Sequence, residues 1–365
     1  MIETLISWSL LPLGVVLGIA LAKRGAIDLG NGPGPSGPPS TEMPPSVSAD
    51  SDRVELQLTL GSLFRKRGEL DRAIQLHEAV LARPSLSPAE SAQARLELAQ
   101  DFLRGGVIDR AESLLDGLVA GGQHLDAALE LLLDLHEQGR DWPRAMSTAG
   151  RLQAVQGRSQ AKRIAHHHCE LAENARHDGA LDTARQRVDK ALDADRDCAR
   201  ASLLLAALCE AADDWRGTLK ASLRAVEQDR RYLPEVLPLL RRCHEQLDDA
   251  AGYEQFLADA EIDHPDSMAV ALARADWLVA RDGDAQAYLA ARLLKSPSWR
   301  GLLAWVDVAM PGYATAGALT EAFRKRLAAQ PRYACSGCGL KPGVLFWQCP
   351  GCRQWATIAP ARDEV

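Results

Sequence analysis

The sequence predicts an all-α fold built as an extended solenoid, for three reasons. Apolar residues make up 47% of the 365-residue chain while aromatics contribute only 5%, and Ala and Leu are abundant, which favours helix over sheet. A short phrase centred on Arg-Ala returns along most of the chain. Gly, Asp and Pro breaks separate short amphipathic stretches at helical period. The length allows two or three compact domains or one elongated array. A net charge of −7 argues against the broad basic surface that nucleic acid would need.

The first element, Thr4–Ala22 (TLISWSLLPLGVVLGIALA), is a run of 19 residues without a formal charge. As a helix it spans about 28 Å, roughly one hydrocarbon core. A cleaved signal peptide is the competing reading, but it requires a positive n-region. Here only Glu3 precedes the run, and Lys23 and Arg24 follow it. The positive-inside bias therefore predicts an uncleaved anchor over residues 1–24, with the bulk of the chain on the cytoplasmic side. The next stretch, GNGPGPSGPPSTEMPPS (30–46), is too rich in Gly and Pro for a helix or strand and reads as a tether within a linker over 25–51. Gly32, Gly34 and Gly37 fit a dinucleotide fingerprint by spacing alone; no strand precedes them.

From residue 52 to 330 the recurring phrase appears as RGELDRAIQLHEAVL (67–81), GGVIDRAESLLDGLV (105–119), GRDWPRAMSTAGRL (139–152) and DGALDTARQRVDKAL (178–192). Its central alanines are Ala73, Ala111, Ala145 and Ala184, and the register continues through Thr218, Gly252 and Ala287. The steps are 38, 34, 39, 34, 34 and 35 residues, so the base period is that of the tetratricopeptide repeat, two antiparallel helices per unit. In the first repeat Leu60-Gly61 allows close approach, Phe64 fills the groove between helices and Ala73 leaves room for packing; Cys209 and Cys243 are expected at the Phe64 place in later repeats. A generic helical bundle is the alternative that the repeated phrase disfavours. Stacked repeats bury a continuous core and form a superhelix with a concave groove.

That groove is expected to bind a peptide or protein surface through the first helix of each pair. The implied residues are Arg65, Lys66, Gln100, Arg104, Glu130, Asp134, Glu173 and Arg176, whose mixed signs suit a folded protein partner; each taken singly also reads as a solvated helix position. No catalytic constellation is recognised. His166, His167 and His168 are consecutive, and consecutive helical side chains point about 100° apart. His136-Glu137 and His244-Glu245 lack the second histidine of a zinc protease, and phosphate-loop and nucleophile-elbow motifs are missing. No small-molecule substrate is predicted.

The last element, over 331–365, contains Cys335, Cys338, Cys349 and Cys352 in the spacing C-x2-C-x10-C-x2-C. Each Cys-x-x-Cys turn offers two thiolates and aims backbone N–H groups at the sulfurs. The pattern predicts one tetrahedral metal ion, iron or zinc, and with all four positions filled by protein the role is structural. Paired disulfides and an electron-transfer centre are weaker readings. Gly339 permits a positive φ in the first knuckle, and VLFWQ (344–348) is expected as a short apolar strand between the pairs. The remaining cysteines, Cys169, Cys198, Cys209 and Cys243, read as small buried hydrophobes.

The texts LTLGSLFRKRGELDRAI (58–74), HHHCELAENA (166–175), ALARADWLVARDG (271–283) and WQCPGCRQWATIAP (347–360) resemble the lipopolysaccharide assembly protein B family of Gram-negative bacteria. The resemblance implies a non-enzymatic inner-membrane adaptor facing the cytoplasm. It would limit lipopolysaccharide synthesis by helping the protease FtsH degrade the deacetylase LpxC, with other lipopolysaccharide assembly proteins as further partners. The alternative within the same family is a scaffold coordinating synthesis and transport proteins without a proteolytic role. The resemblance also implies that a rubredoxin-type domain, holding its metal on Cys335, Cys338, Cys349 and Cys352, packs against the repeats. One departure is visible: family members begin a repeat soon after the anchor, where this chain has its Gly/Pro tether at 30–46.

Overall fold

The structure, a computed structural model, describes residues 47–312 and 314–361. The anchor expected over 1–24 and most of the tether lie outside the described residues. No helix among the described residues is long and apolar enough to cross a membrane. The first helix begins at Val47, ahead of the array boundary expected at residue 52.

Sixteen α-helices are described, in eight consecutive pairs. They are α1 Val47–Arg67, α2 Leu70–Leu81, α3 Pro88–Arg104, α4 Ile108–Ala120, α5 Leu125–Gln138, α6 Trp142–Gln156, α7 Ala161–His177 and α8 Leu181–Ala194. The second half comprises α9 Ala199–Ala211, α10 Trp215–Gln228, α11 Leu233–Gln246, α12 Ala250–Asp263, α13 Met268–Val279, α14 Ala285–Lys295, α15 Trp299–Ala309 and α16 Ala314–Ala328. Among the described residues a 3-10 turn, Arg230–Tyr232, enters α11, and two short strands, β1 Tyr333–Cys335 and β2 Ile358–Pro360, pair antiparallel. From Arg53 onward the chain forms one compact unit.

The pairing follows from a repeated stop signal. The first helix of most pairs ends with a residue at positive φ, and the next residue's N–H returns to a carbonyl five residues earlier, as in Glu69 to Phe64, Val107 to Phe102 and Asp214 to Cys209. This is the Schellman geometry, which satisfies carbonyls that the ending helix would leave bare. Gly68, Gly106 and Gly179 take the left-handed position, but Arg140, Asp213, Asp248 and Asp282 occupy it in other pairs. The second helices start on side-chain caps in α6, α10, α12 and α14, where Asp141, Asp214, Asp249 and Asp284 accept from the N–H three residues on.

The small residues of the repeat sit where close packing needs them: Ala73, Ala111, Ala145, Ala184 and Thr218 are fully buried at the fourth position of their helices. Gly61 lies so close to His77 that an added Cβ would fall 2.2 Å from the ring. The expected register slips by one residue after Thr218. Gly252 and Ala287 are the third residues of α12 and α14, and Tyr253 and Tyr288 take the fourth. The capping aspartates fix this, because each receives the N–H of the third residue, and that is Gly252 or Ala287. Tyr253 is buried edge-on to Trp277, with ring centroids 4.9 Å apart. In the same way Cys209 occupies the Phe64 position, but Cys243 does not; the Schellman carbonyl in that pair belongs to His244. All four isolated cysteines are buried, as expected.

Candidate metal centre

The four terminal cysteines converge. Their Sγ atoms all lie within 4.8 Å of one another, with Cys335–Cys352 at 3.7 Å and Cys338–Cys349 at 3.6 Å. A tetrahedron with metal–sulfur bonds of about 2.3 Å has edges of about 3.8 Å. The spacing therefore fits one metal ion, and it is far from the ~2 Å of a disulfide. The two knuckles have matching backbone. Gly339 N–H returns to the Cys335 carbonyl at 3.0 Å, and Arg353 N–H returns to the Cys349 carbonyl at 2.8 Å. Both residues hold positive φ, 75° and 59°. Arginine thus does in the second turn what glycine does in the first.

The chemistry of the donor set also demands a cation. Burial raises the Cys335 thiol, but its hydrogen bond with the Thr357 hydroxyl and those from the N–H groups of Cys338 and Gly337 overcome this and bring it down to about 6. At Cys338 the Leu340 N–H favours the thiolate, yet loss of water and the three neighbouring sulfurs push it up to about 11. Four sulfurs this close cannot all ionise without a positive ion among them. An ion held by Cys335, Cys338, Cys349 and Cys352 would supply that charge and close the turns on each other, leaving no open coordination position.

The segment between the pairs is not the strand expected over 344–348. Only Gln348 forms a bridge, to Trp355, and the two strands flank the cysteine pairs instead. Leu345 and Trp347 pack against Ala199 and Tyr232 of the repeats, while Val344 and Phe346 are exposed. Trp347 lies on Tyr232 (5.1 Å) and on His166 (6.1 Å), with the Arg200 guanidinium over its ring.

A carboxylate anchors this docking. Glu137, at the end of α5, is buried and accepts from four groups. Oε1 takes Trp355 Nε1–H (3.1 Å), His167 Nε2–H (2.7 Å) and Arg163 Nε–H (2.9 Å), while Oε2 takes Gln348 at 2.9 Å. Burial opposes the charge, but the bonds from His167 and Arg163 and the Arg163 charge hold the carboxyl down at about 2. His166 stacks on Trp355 (5.0 Å, 14°), and Trp142 stacks on His167 and meets Trp355 edge-on. Burial, with the charges of Arg200 and Lys162, drives the His166 imidazole well below its ordinary range. Farther along, Tyr232 donates to the Ile358 carbonyl (2.9 Å) and Tyr333 to Glu235 (3.0 Å). The metal domain therefore touches four consecutive helix pairs, the third to the sixth.

Sequence reasoning missed this set. His166 and His167 serve the docking face. Glu137, Trp142 and Tyr232 carried no motif of their own; the one available signal was that WQCPGCRQW places tryptophans on both sides of a metal knuckle.

The groove residues divide into two groups. Arg65, Lys66, Gln100, Arg104 and Asp134 line one cleft of about 720 Å3, formed by the first helices of the first three pairs and closed by Arg353 of the metal domain. Within it Arg65 is tied to Glu97 and Asp101, both at 2.7 Å, and Asp134 to Arg163 at 2.8 Å. Glu130, Glu173 and Arg176 lie outside this cleft: Glu130 accepts from Gln156, Glu173 pairs with Arg200 at 2.8 Å, and Arg176 is exposed.

Fold and site together define a class: a tetratricopeptide array carrying a closed four-cysteine metal domain docked on its own repeats. The family described as rubredoxin metal binding domain matches residues 333–360. Lipopolysaccharide assembly protein B of Escherichia coli strain K12 is 33% identical over 87% of this chain and 83% of its own length. The Haemophilus influenzae protein of that name is 33% identical over 86% and 80%. A tetratricopeptide repeat protein from Parabacteroides merdae aligns over 73% of this chain and 97% of its own, at 12% identity and a TM-score of 0.35. The chain belongs to the lipopolysaccharide assembly protein B family.

Proposed function

We propose that this protein is a non-enzymatic adaptor in lipopolysaccharide assembly, anchored in the bacterial inner membrane and facing the cytoplasm. In this reading residues 1–24 form the anchor, 25–51 the linker, 52–330 the interaction array and 331–365 the metal domain. The adaptor presents the deacetylase LpxC to the protease FtsH and so limits entry of precursor into lipid A. The observation that carries the reading is the 33% identity to lipopolysaccharide assembly protein B across most of both chains. A concave cleft and a metal site without an open position support binding rather than catalysis. Confinement to the membrane raises the effective concentration of weak partners, so modest contacts suffice. The ion is iron or zinc, and elemental analysis with visible absorption distinguishes them.

The test is the half-life of LpxC in cells depleted of the protein and then complemented with it. Depletion is expected to lengthen the half-life and complementation to restore it. An unchanged half-life, with synthesis or transport enzymes recovered on pull-down in place of FtsH, would leave a scaffold as the answer.

A further inference from the structure

We infer that the cleft between the first three repeats and the metal domain binds an extended acidic peptide segment interspersed with apolar side chains; the inference rests on the adaptor reading and names the chemistry of the partner. Three cations face it from separate parts of the chain: Lys66 from the end of α1, Arg104 from the end of α3 and Arg353 from the second cysteine knuckle. None of the three side chains has a carboxylate partner among the described residues, whereas Arg65 beside them is neutralised by Glu97 and Asp101. The chain as a whole is acidic, so this convergence runs against its average charge. Basic residues in a last helical turn complement the helix dipole, which accounts for Lys66 and Arg104 by themselves. It does not account for Arg353, which belongs to no helix, nor for the apolar floor of Leu103, Leu131 and Leu135 between the charges.

The volume, about 720 Å3, falls in the range of formed ligand sites. Asp134 on the wall disfavours a compact polyanion such as a phosphate cluster, and a floor of leucines gives a headgroup nothing to bind. A peptide with alternating carboxylate and apolar side chains satisfies both features. Arg353 is held by the hydrogen bond of its N–H to the Cys349 carbonyl, so the metal knuckle positions one wall of the site.

The test uses the full chain in detergent micelles and a fluorescein-labelled peptide in which glutamate alternates with leucine, read by anisotropy. Binding is expected, weakened by salt and lost when every glutamate is replaced by glutamine. The double variant Lys66→Gln, Arg104→Gln, both exposed positions, is expected to weaken binding roughly tenfold, and Arg353→Asn, which tolerates the left-handed backbone, to weaken it further. Equal affinity for the glutamine peptide, equal affinity of the variants, or capture of phosphatidylglycerol vesicles in place of the peptide would overturn the assignment. If the peptide fails to bind while the protein still shortens the LpxC half-life, the cleft assignment falls and the adaptor reading stands. If the peptide binds at the cleft and the half-life is unchanged, the reverse holds.

Discussion

Glu137 shows how one side chain can decide the position of a domain. Its carboxylate receives donors from both sides of the interface, Arg163 and His167 from the repeats and Trp355 and Gln348 from the metal domain. Glu137→Gln keeps the shape but replaces one acceptor oxygen with an amide donor and removes the charge facing Arg163. Breaking a buried charged cluster from one side costs about 3 kcal/mol. The expected result is a lower melting temperature and quenching or red shift of tryptophan emission as Trp355 becomes wet. Unchanged emission and melting would mean that the domain is held elsewhere. His166 and His168 give the folded chain a pH dependence of definite sign. Burial, with Arg200 and Lys162, lowers His166; burial, with Arg187 and Lys190, lowers His168 to about 4. Both stay neutral in the folded state at pH values where an unfolded histidine, with its pKa of about 6.5, takes up a proton. The unfolded state then binds more protons, so stability is full above pH 6.5 and declines as pH falls from there toward 4. Denaturant titrations at pH 7 and 5 should show this loss, and His166→Asn should reduce it to the share that His168 contributes.

At the scale of the helix, closeness between partners rests on single small residues. Gly61 faces His77, whose ring is fully buried and holds Asp101 at 2.5 Å and the Leu58 carbonyl at 3.2 Å. The ring has no room to retreat, because both nitrogens are engaged. Gly61→Ala, which would be neutral or favourable in an exposed helix, is therefore expected to destabilise the first repeat by about 2 kcal/mol through overpacking. Hydrogen exchange should rise across α1 and α2 while the later pairs keep their protection. Uniform exchange, or greater stability, would show that the contact can relax. The later pairs use a different device at the corresponding level. Aspartate caps set where the second helix begins, and tyrosines replace the small residue in α12 and α14.

Across the whole molecule, the repeats and the cluster of four cysteines were legible because each is a local pattern: a period, a cap, a pair of cysteines with two residues between them. The slip from Gly252 to Tyr253 was not, because a constant step cannot see which aspartate caps the helix. The docking face was hidden for a different reason. Glu137, His166, Tyr232 and Trp355 are far apart in sequence and meet only when the superhelix closes. That meeting has a mechanical consequence. Repeats in a solenoid contact only their neighbours, so their stability is a sum of near-neighbour terms and they unfold in stages. Here the metal domain spans the third to the sixth pairs and ties non-neighbours together. Its own fold is expected to depend on an ion, since so few apolar residues enclose it and four thiolates repel one another. Metal removal or Cys349→Ser should therefore act at a distance from the cysteines. Exchange is expected to rise through α5 to α11, thermal unfolding to broaden, and the first two pairs to keep their native protection. Glu137→Gln separates the steps: it should give the same rise in exchange with the metal still bound, because it cuts the tie without opening the knuckles. If exchange in α5 to α11 stays unchanged when the metal leaves, the domain rests on the array without bracing it.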